Sequence, residues 1–364
     1  MRELNKQDMI DLLYGCAVLG TGGGGKIDHG FEIMKEDFAL GRTLKLADLD
    51  EIPDDGYISI PYGCGAPAAV GAELPPDLDR LPKVEASAVI AFQTLEEEIG
   101  HKFFAVSSSE LGGMNTAEAL HIACLLDIPL ADGDPAGRSV PELSQSTFYM
   151  KGLRSEPMAV VTKFGEVMVF KEMIDDFRIE TLVRSIAIVS GDDISVCDHP
   201  MTGKQYREAI IPGAISYALK IGRILHQAKE SGDDAASQIV SQMAGKMLFK
   251  GTVTDMPWEL RDGFQYGDIY LKGLNGYQNE TYQIKFKNEN IASYRNGEID
   301  VTVPDLICMI DKEGNPMTTP DFSIGDEMTV FALPAPQMWK CREGLEIFGP
   351  RHFGIDVDYV PFNQ

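Results

Sequence analysis

The stretch ADGDPAGRSVPEL, residues 131–143, gathers Asp132, Asp134, Arg138 and Glu142 into one segment stiffened by two prolines. Aspartates two apart share one face of an extended chain, and Gly133 between them is the residue able to bend the backbone and bring them together. Close carboxyls either hold a metal or split their pKa values, which makes one of them a usable general acid or base. Asp132, Asp134 and Glu142 are therefore candidate catalytic groups. Arg138 suits a bidentate hold on a substrate carboxylate, or alternatively a bracing ion pair with Glu142.

Three other segments carry chemistry. SSSELGGMNT (107–116) places Glu110 and Asn115 around two glycines; Glu110 is a fourth catalytic candidate, and Thr116 reads as a helix cap. GTGGGGK (20–26) is a glycine run entering a helix, whose N–H groups suit a carboxylate, phosphate or ring carbonyl. Ile27 stands where a phosphate-binding loop needs Ser or Thr, and no strand precedes the run, so no nucleotide cofactor is expected. Gly22, Gly23, Gly24, Gly25, Asn115 and Arg138 are the expected substrate contacts.

Cys64, between glycines in YGCGAP, and His199, beside Asp198 in CDHPMTGKQY, are the candidate metal ligands. Two arrangements remain open. In one, Cys64, His199 and an aspartate from 132 or 134 hold a divalent metal, zinc favoured, with an open position that lowers a bound water's pKa toward about 7. In the other, Asp132 or Glu110 activates water directly and the glycine run donates to the adduct. Spacing does not choose between them, since neither HxH nor HExxH occurs. His121 reads as a satisfied core histidine, and His29, His101 and His226 as surface residues. His352, in GPRHFG, is placed to close the site from outside.

The elements that must position these groups alternate. An amphipathic helix precedes the glycine run, a strand leads into Cys64, another into Glu110, and the helix NTAEALHIACLLD returns to a short strand ending in the aspartates. Strand, helix, strand with polar groups at strand ends is the pattern of an open α/β sheet. MAVVTKFGEVMVFK reads as a hairpin, MIDDFRIETLVRSIAIVSG as helix then strand. From about residue 246 apolar and polar residues alternate between Gly, Asn and Asp turns. The expectation is an α/β N-terminal domain with an open mixed sheet (1–245), a smaller mostly-β C-terminal domain (246–335), and a terminal segment (336–364) packing back on the first domain.

With 364 residues the chain is long enough for two cores. Its net charge of -24 repels phosphate backbones and anionic membranes, which argues against nucleic-acid partners. The scattered six cysteines contain no CxxC and fit reduced thiols. No apolar stretch reaches membrane-spanning length, so a cytoplasmic, homo-oligomeric protein acting on a small molecule is expected.

Taken together, GTGGGG, ELGGMN, DGDPAGRSVPE, TGKQYREAIIPGAIS, PDLICMID and GLEIFGPRHFG resemble a family long catalogued only as a domain of unknown function and since linked to S-methyl thiohydantoin desulfurase. The likeness runs along essentially the whole chain, with Ser139 standing where the family often has alanine. It implies an α/β domain followed by a smaller β-domain, and replacement of sulfur by water at the ring carbon of a five-membered cyclic imide, a thiohydantoin or hydantoin. The alternative is a non-catalytic small-ligand-binding or regulatory protein of hydantoin or amino-acid metabolism.

Overall fold

The computed structural model describes residues 1–65, 78–191 and 194–362, so Ala66 and Pro67 of YGCGAP and Asp192–Asp193 lie outside the described residues. An eight-stranded open sheet runs in the order Arg2–Leu4, Leu44–Ala47, Leu130–Ala131, Phe103–Val106, Tyr57–Cys64, Ile194–Thr202, Met158–Thr162, Val167–Phe170. Its four inner strands from Leu44–Ala47 to Tyr57–Cys64 are parallel and the rest antiparallel, so the sheet is mixed. A second sheet is built from strands between Lys246 and Leu333, and its pairings are antiparallel. This is the expected α/β domain with a mostly-β companion.

Helix Lys6–Leu19 delivers the glycine run and packs along helix Ala214–Ser231. Their crossing is close because Gly15 lies against the backbone of Ala218 and Gly222 against that of Asp11; a Cβ at either would overlap main chain. The first-domain core is split by its sheet into two apolar clusters, and the second sheet has a third around Phe249, Ile284 and Val330.

One element differs from its sequence reading. MIDDFRIETLVRSIAIVSG gives a continuous helix, Asp176–Val189, rather than a helix followed by a strand. Ile179, Val183 and Ala187 are buried at helical spacing, whereas Ile188 and Val189 face solvent. The β-branched run that suggested a strand therefore lies partly outside the core. Beyond the second sheet, Trp339 donates from Nε1 to the Ala136 carbonyl (2.7 Å) and Gln145 donates to Ile347.

Candidate active site

A cavity of about 1000 Å³ opens between the two sheets. Its first-domain wall comes from the carboxyl ends of parallel strands, where Cys64, Glu110 and Pro135 emerge, and its second wall from Gln265, Asn288 and Glu289. Ile60, Tyr62 and Cys64 all line it, as alternation along one strand requires.

The neighbouring strand contributes Asp198 and His199. Adjacent strand residues normally point to opposite faces, but His199 has φ 47° and sits where the ladder to Tyr57–Cys64 shifts register. That irregularity turns the imidazole back beside its neighbour, with Nδ1 2.7 Å from Asp198 Oδ1. Tyr62 donates to the other carboxylate oxygen at 2.8 Å. Nδ1 therefore carries the hydrogen and Nε2 the lone pair. Nε2 is buried without a partner. Burial opposes a charged ring, but the Asp198 carboxylate outweighs it and raises the His199 pKa. This is the arrangement of a general base with an orienting carboxylate.

Facing it from the domain seam are two buried glutamates. Ser139 Oγ lies 2.8 Å from Glu110 Oε2 and 2.9 Å from Glu289 Oε1. A hydroxyl has one hydrogen, so one of these contacts is completed by a proton carried on a carboxyl. Glu110 also accepts from the Val140 N–H (2.8 Å) and from Asn115 Nδ2. Glu289 has no comparable support, and its Oε2 is unpartnered. Burial and the neighbouring Glu110 push Glu289 up to about 8; burial also raises Glu110. Glu289 is thus the proton holder at neutral pH.

The glycine run makes this seam possible. Gly23 lies against the Glu289 carboxyl and Gly24 against Gly112, so a Cβ at either would overlap them. Gly22 O accepts from Thr319 N and Thr21 O from Asn290 N, both 2.8 Å. All four residues, Gly22–Gly25, line the cavity, with Asn115 at its wall.

Several expected site residues are engaged elsewhere. Arg138 is fully buried and does not line the cavity. Its guanidinium donates to the carbonyls of Ser139, Pro304, Asp305 and Asn290 and to Thr21 Oγ1, and stacks 4.9 Å from the Phe348 ring. It is a brace between domains rather than a substrate clamp or a partner of Glu142. Asp132 accepts from Ser216 N (2.9 Å) and Ser216 Oγ at the start of helix Ala214–Ser231, while Asp134 Oδ1 accepts from Ala136 N and Gly137 N. Gly133 does not bring the two together; each caps its own backbone turn, and neither lines the cavity. Burial nonetheless lifts Asp134 to about 7.

Glu142 lines the cavity but is bound by Lys287 and by His352 Nε2 (3.0 Å). Burial works the other way, yet these two bonds hold Glu142 down at about 2, too weak a base for water activation. His352 holds Glu142 from outside this lining, on the border of a second cavity, whereas His29, read as a surface residue, belongs to the lining. His121 is paired with Asp37 at 2.7 Å.

Cys64 and His199 share the cavity without sharing a point. Cys64 is registered opposite Ile194, and Asp198 opposite Ile60, four residues away along the strand. That separates the two candidate ligands by about 13 Å of strand. With Asp132 and Asp134 directed elsewhere, the expected ligand set does not converge. Among the described residues, no three His, Cys, Asp or Glu side chains cluster as metal ligands. Sequence reasoning missed Glu289 altogether and left Asp198 as an accessory. The trace of Glu289 in the sequence is the consecutive polar pair Glu289–Asn290 opening a buried strand.

Two family models match the chain: the S-Me-THD-like N-terminal domain over residues 7–172 and the S-Me-THD-like C-terminal domain over residues 174–362. The protein belongs to the S-Me-THD-like family. This agrees with the resemblance carried by the glycine run and the ADGDPAGRSVPEL segment. The family divides the chain near residue 173, well before Lys246, where the second sheet begins. A crystal structure of a protein from Chromobacterium violaceum has the same fold, with a TM-score of 0.78 at 22% identity over 100% of this chain and 99% of that one. No curated protein matches the chain. Among the described residues of this S-Me-THD-like protein, no helix is long and apolar enough to cross a membrane.

Proposed function

We propose that the protein is a hydrolase of S-methyl thiohydantoin-type rings, exchanging the sulfur substituent for water at the carbon between the two ring nitrogens. The observation that supports this most is that an Asp–His pair with an unpartnered Nε2 and a carboxyl pair that holds a proton line one cavity. The cavity's volume is at the upper end for small-molecule sites and leaves room for a ring substituent.

In this reading Glu289 gives its proton to the ring nitrogen of the C=N bond, which makes the carbon electrophilic. His199 Nε2 takes a proton from water as the oxygen attacks that carbon. The tetrahedral adduct then loses methanethiol, whose sulfur takes the proton from His199, and the remaining hydroxyl proton returns to Glu289. Water enters, methanethiol leaves, and a hydantoin carbonyl and N–H remain. Tyr62 and Asp198 hold the imidazole in the required tautomer.

The test is thiol release from an S-methyl thiohydantoin. Wild-type protein turns over, and His199→Ala loses roughly 10²–10⁴-fold in kcat, the usual worth of general-base catalysis. Absence of turnover across hydantoins and thiohydantoins would overturn the reading, and saturable binding without turnover would make the protein a ligand-binding one. Homo-oligomerisation in the cytoplasm is part of the same proposal; light scattering after gel filtration measures the assembly.

A further inference from the structure

The carboxyl pole of the cavity is short of hydrogen-bond donors. Glu110 takes the Asn115 amide nitrogen, which turns Asn115 Oδ1 away, and that oxygen is buried without a partner. The opposite amide orientation would set oxygen against a carboxyl, so this assignment follows from the chemistry of the pair. Glu289 Oε2 is a second orphaned acceptor, and the hydroxyls of Ser109 and Thr319, each able to donate or accept, are also unpartnered, so the two acceptor-only oxygens are those of Asn115 and Glu289. All four residues line the cavity and come from both domains. The nearby cations supply nothing: Arg138 directs its N–H groups to four carbonyls and Thr21, and Arg184 binds Glu180 and the Pro141 carbonyl. Buried acceptors left unmatched cost stability, so this pole is built for donors brought by a ligand.

We propose that the Glu110–Glu289 pole, with Asn115 Oδ1, is a subsite for a planar nitrogen-centred cation, an amidinium or isothiouronium group whose N–H edge supplies the missing donors. This rests on and deepens the functional reading above. A ring protonated by Glu289 is an isothiouronium, and the pole would hold that form in preference to the neutral ring or the product. Anions are disfavoured there by two carboxyls.

S-methylisothiouronium, a cation of this class without the hydantoin ring, is the probe. Calorimetric titration of the whole protein in buffers of different ionisation heat should show saturable binding with release of a proton, because the cation takes the place of the proton held by the carboxyl pair. Affinity should rise with pH toward about 8, where Glu289 ionises. Glu289→Gln should weaken binding at least tenfold and abolish proton release; Glu259→Gln, an exposed carboxylate outside the site, should change neither. Urea and acetate should not bind. No saturable binding, binding without proton release, or equal affinity in Glu289→Gln would overturn the proposal. Thiol release measured on the same preparations separates the two readings: turnover without isothiouronium binding removes the subsite alone, and binding without turnover removes the hydrolase reading alone.

Discussion

His199 concentrates the chemistry because its backbone leaves the strand conformation at one residue. Asp198→Asn would keep the shape but remove the carboxylate that fixes the tautomer, and kcat is expected to fall by roughly 10²-fold or more. The pH profile of kcat/KM should be bell-shaped. Activity rises as His199, whose pKa lies above its ordinary value, loses its proton, and falls as Glu289 loses its own through about 8. In Glu289→Gln the alkaline limb should vanish; a limb that stays in place would remove Glu289 from the proton path. Asp132→Asn gives the contrasting outcome. Its carboxylate serves the N-terminus of helix Ala214–Ser231, so stability is expected to drop by about 1 kcal/mol in urea unfolding with turnover unchanged.

At the scale of elements, the glycine run and the Arg138 segment are two halves of one seam. Gly23→Ala would push a methyl into the Glu289 carboxyl, costing roughly 1–3 kcal/mol and displacing the proton holder, so turnover and melting temperature should fall together. Arg138→Met strands four carbonyls and a hydroxyl in the interior, at about 1–3 kcal/mol for each buried group left without a donor, so a loss of several kcal/mol is expected by denaturant titration. Binding of S-methylisothiouronium by folded Arg138→Met protein should persist, since the guanidinium lines no part of the cavity. The locations of these segments were legible in the sequence: glycines and opposed charges do not accumulate in ordinary core or surface. Their roles were not, because a buried arginine and a substrate-holding arginine have the same spacing and differ only in what surrounds them.

At the scale of the molecule, the site exists only when the two sheets meet. Glu289 comes from one domain and Glu110 with Ser139 from the other, so proton sharing couples domain docking to pH. The Glu289 carboxyl titrates ordinarily at 4.5 and at about 8 when folded; a raised pKa contributes stability that is complete at low pH and is lost as pH climbs through about 8. Melting temperatures should accordingly decline between mildly acidic pH and pH 8, and Glu289→Gln should flatten that decline. Chelator treatment tests the metal arrangement separately: turnover should survive it, and loss restored by added zinc would put a metal into the mechanism and displace His199 as the base.

Composition, period and strand-end polarity were enough to set an α/β domain with a mixed sheet before an alternating β-domain, because burial of apolar faces writes those periods directly into the chain. They also marked the Cys64 and Glu110 segments as neighbours, since parallel strands deliver their carboxyl ends to one edge; His199, on an antiparallel strand, and the glycine run, at the end of a helix, reach the same cavity through the fold. What the tertiary structure alone decided was partnership. Asp132 and Asp134 turn into backbone caps, Arg138 into a brace, Glu142 into the anchor of Lys287 and His352, and Glu289 arrives from 150 residues beyond Ser139 to complete the carboxyl pair. Hydrogen bonds and desolvation act over a few ångströms of space, and distance along the sequence carries no record of them.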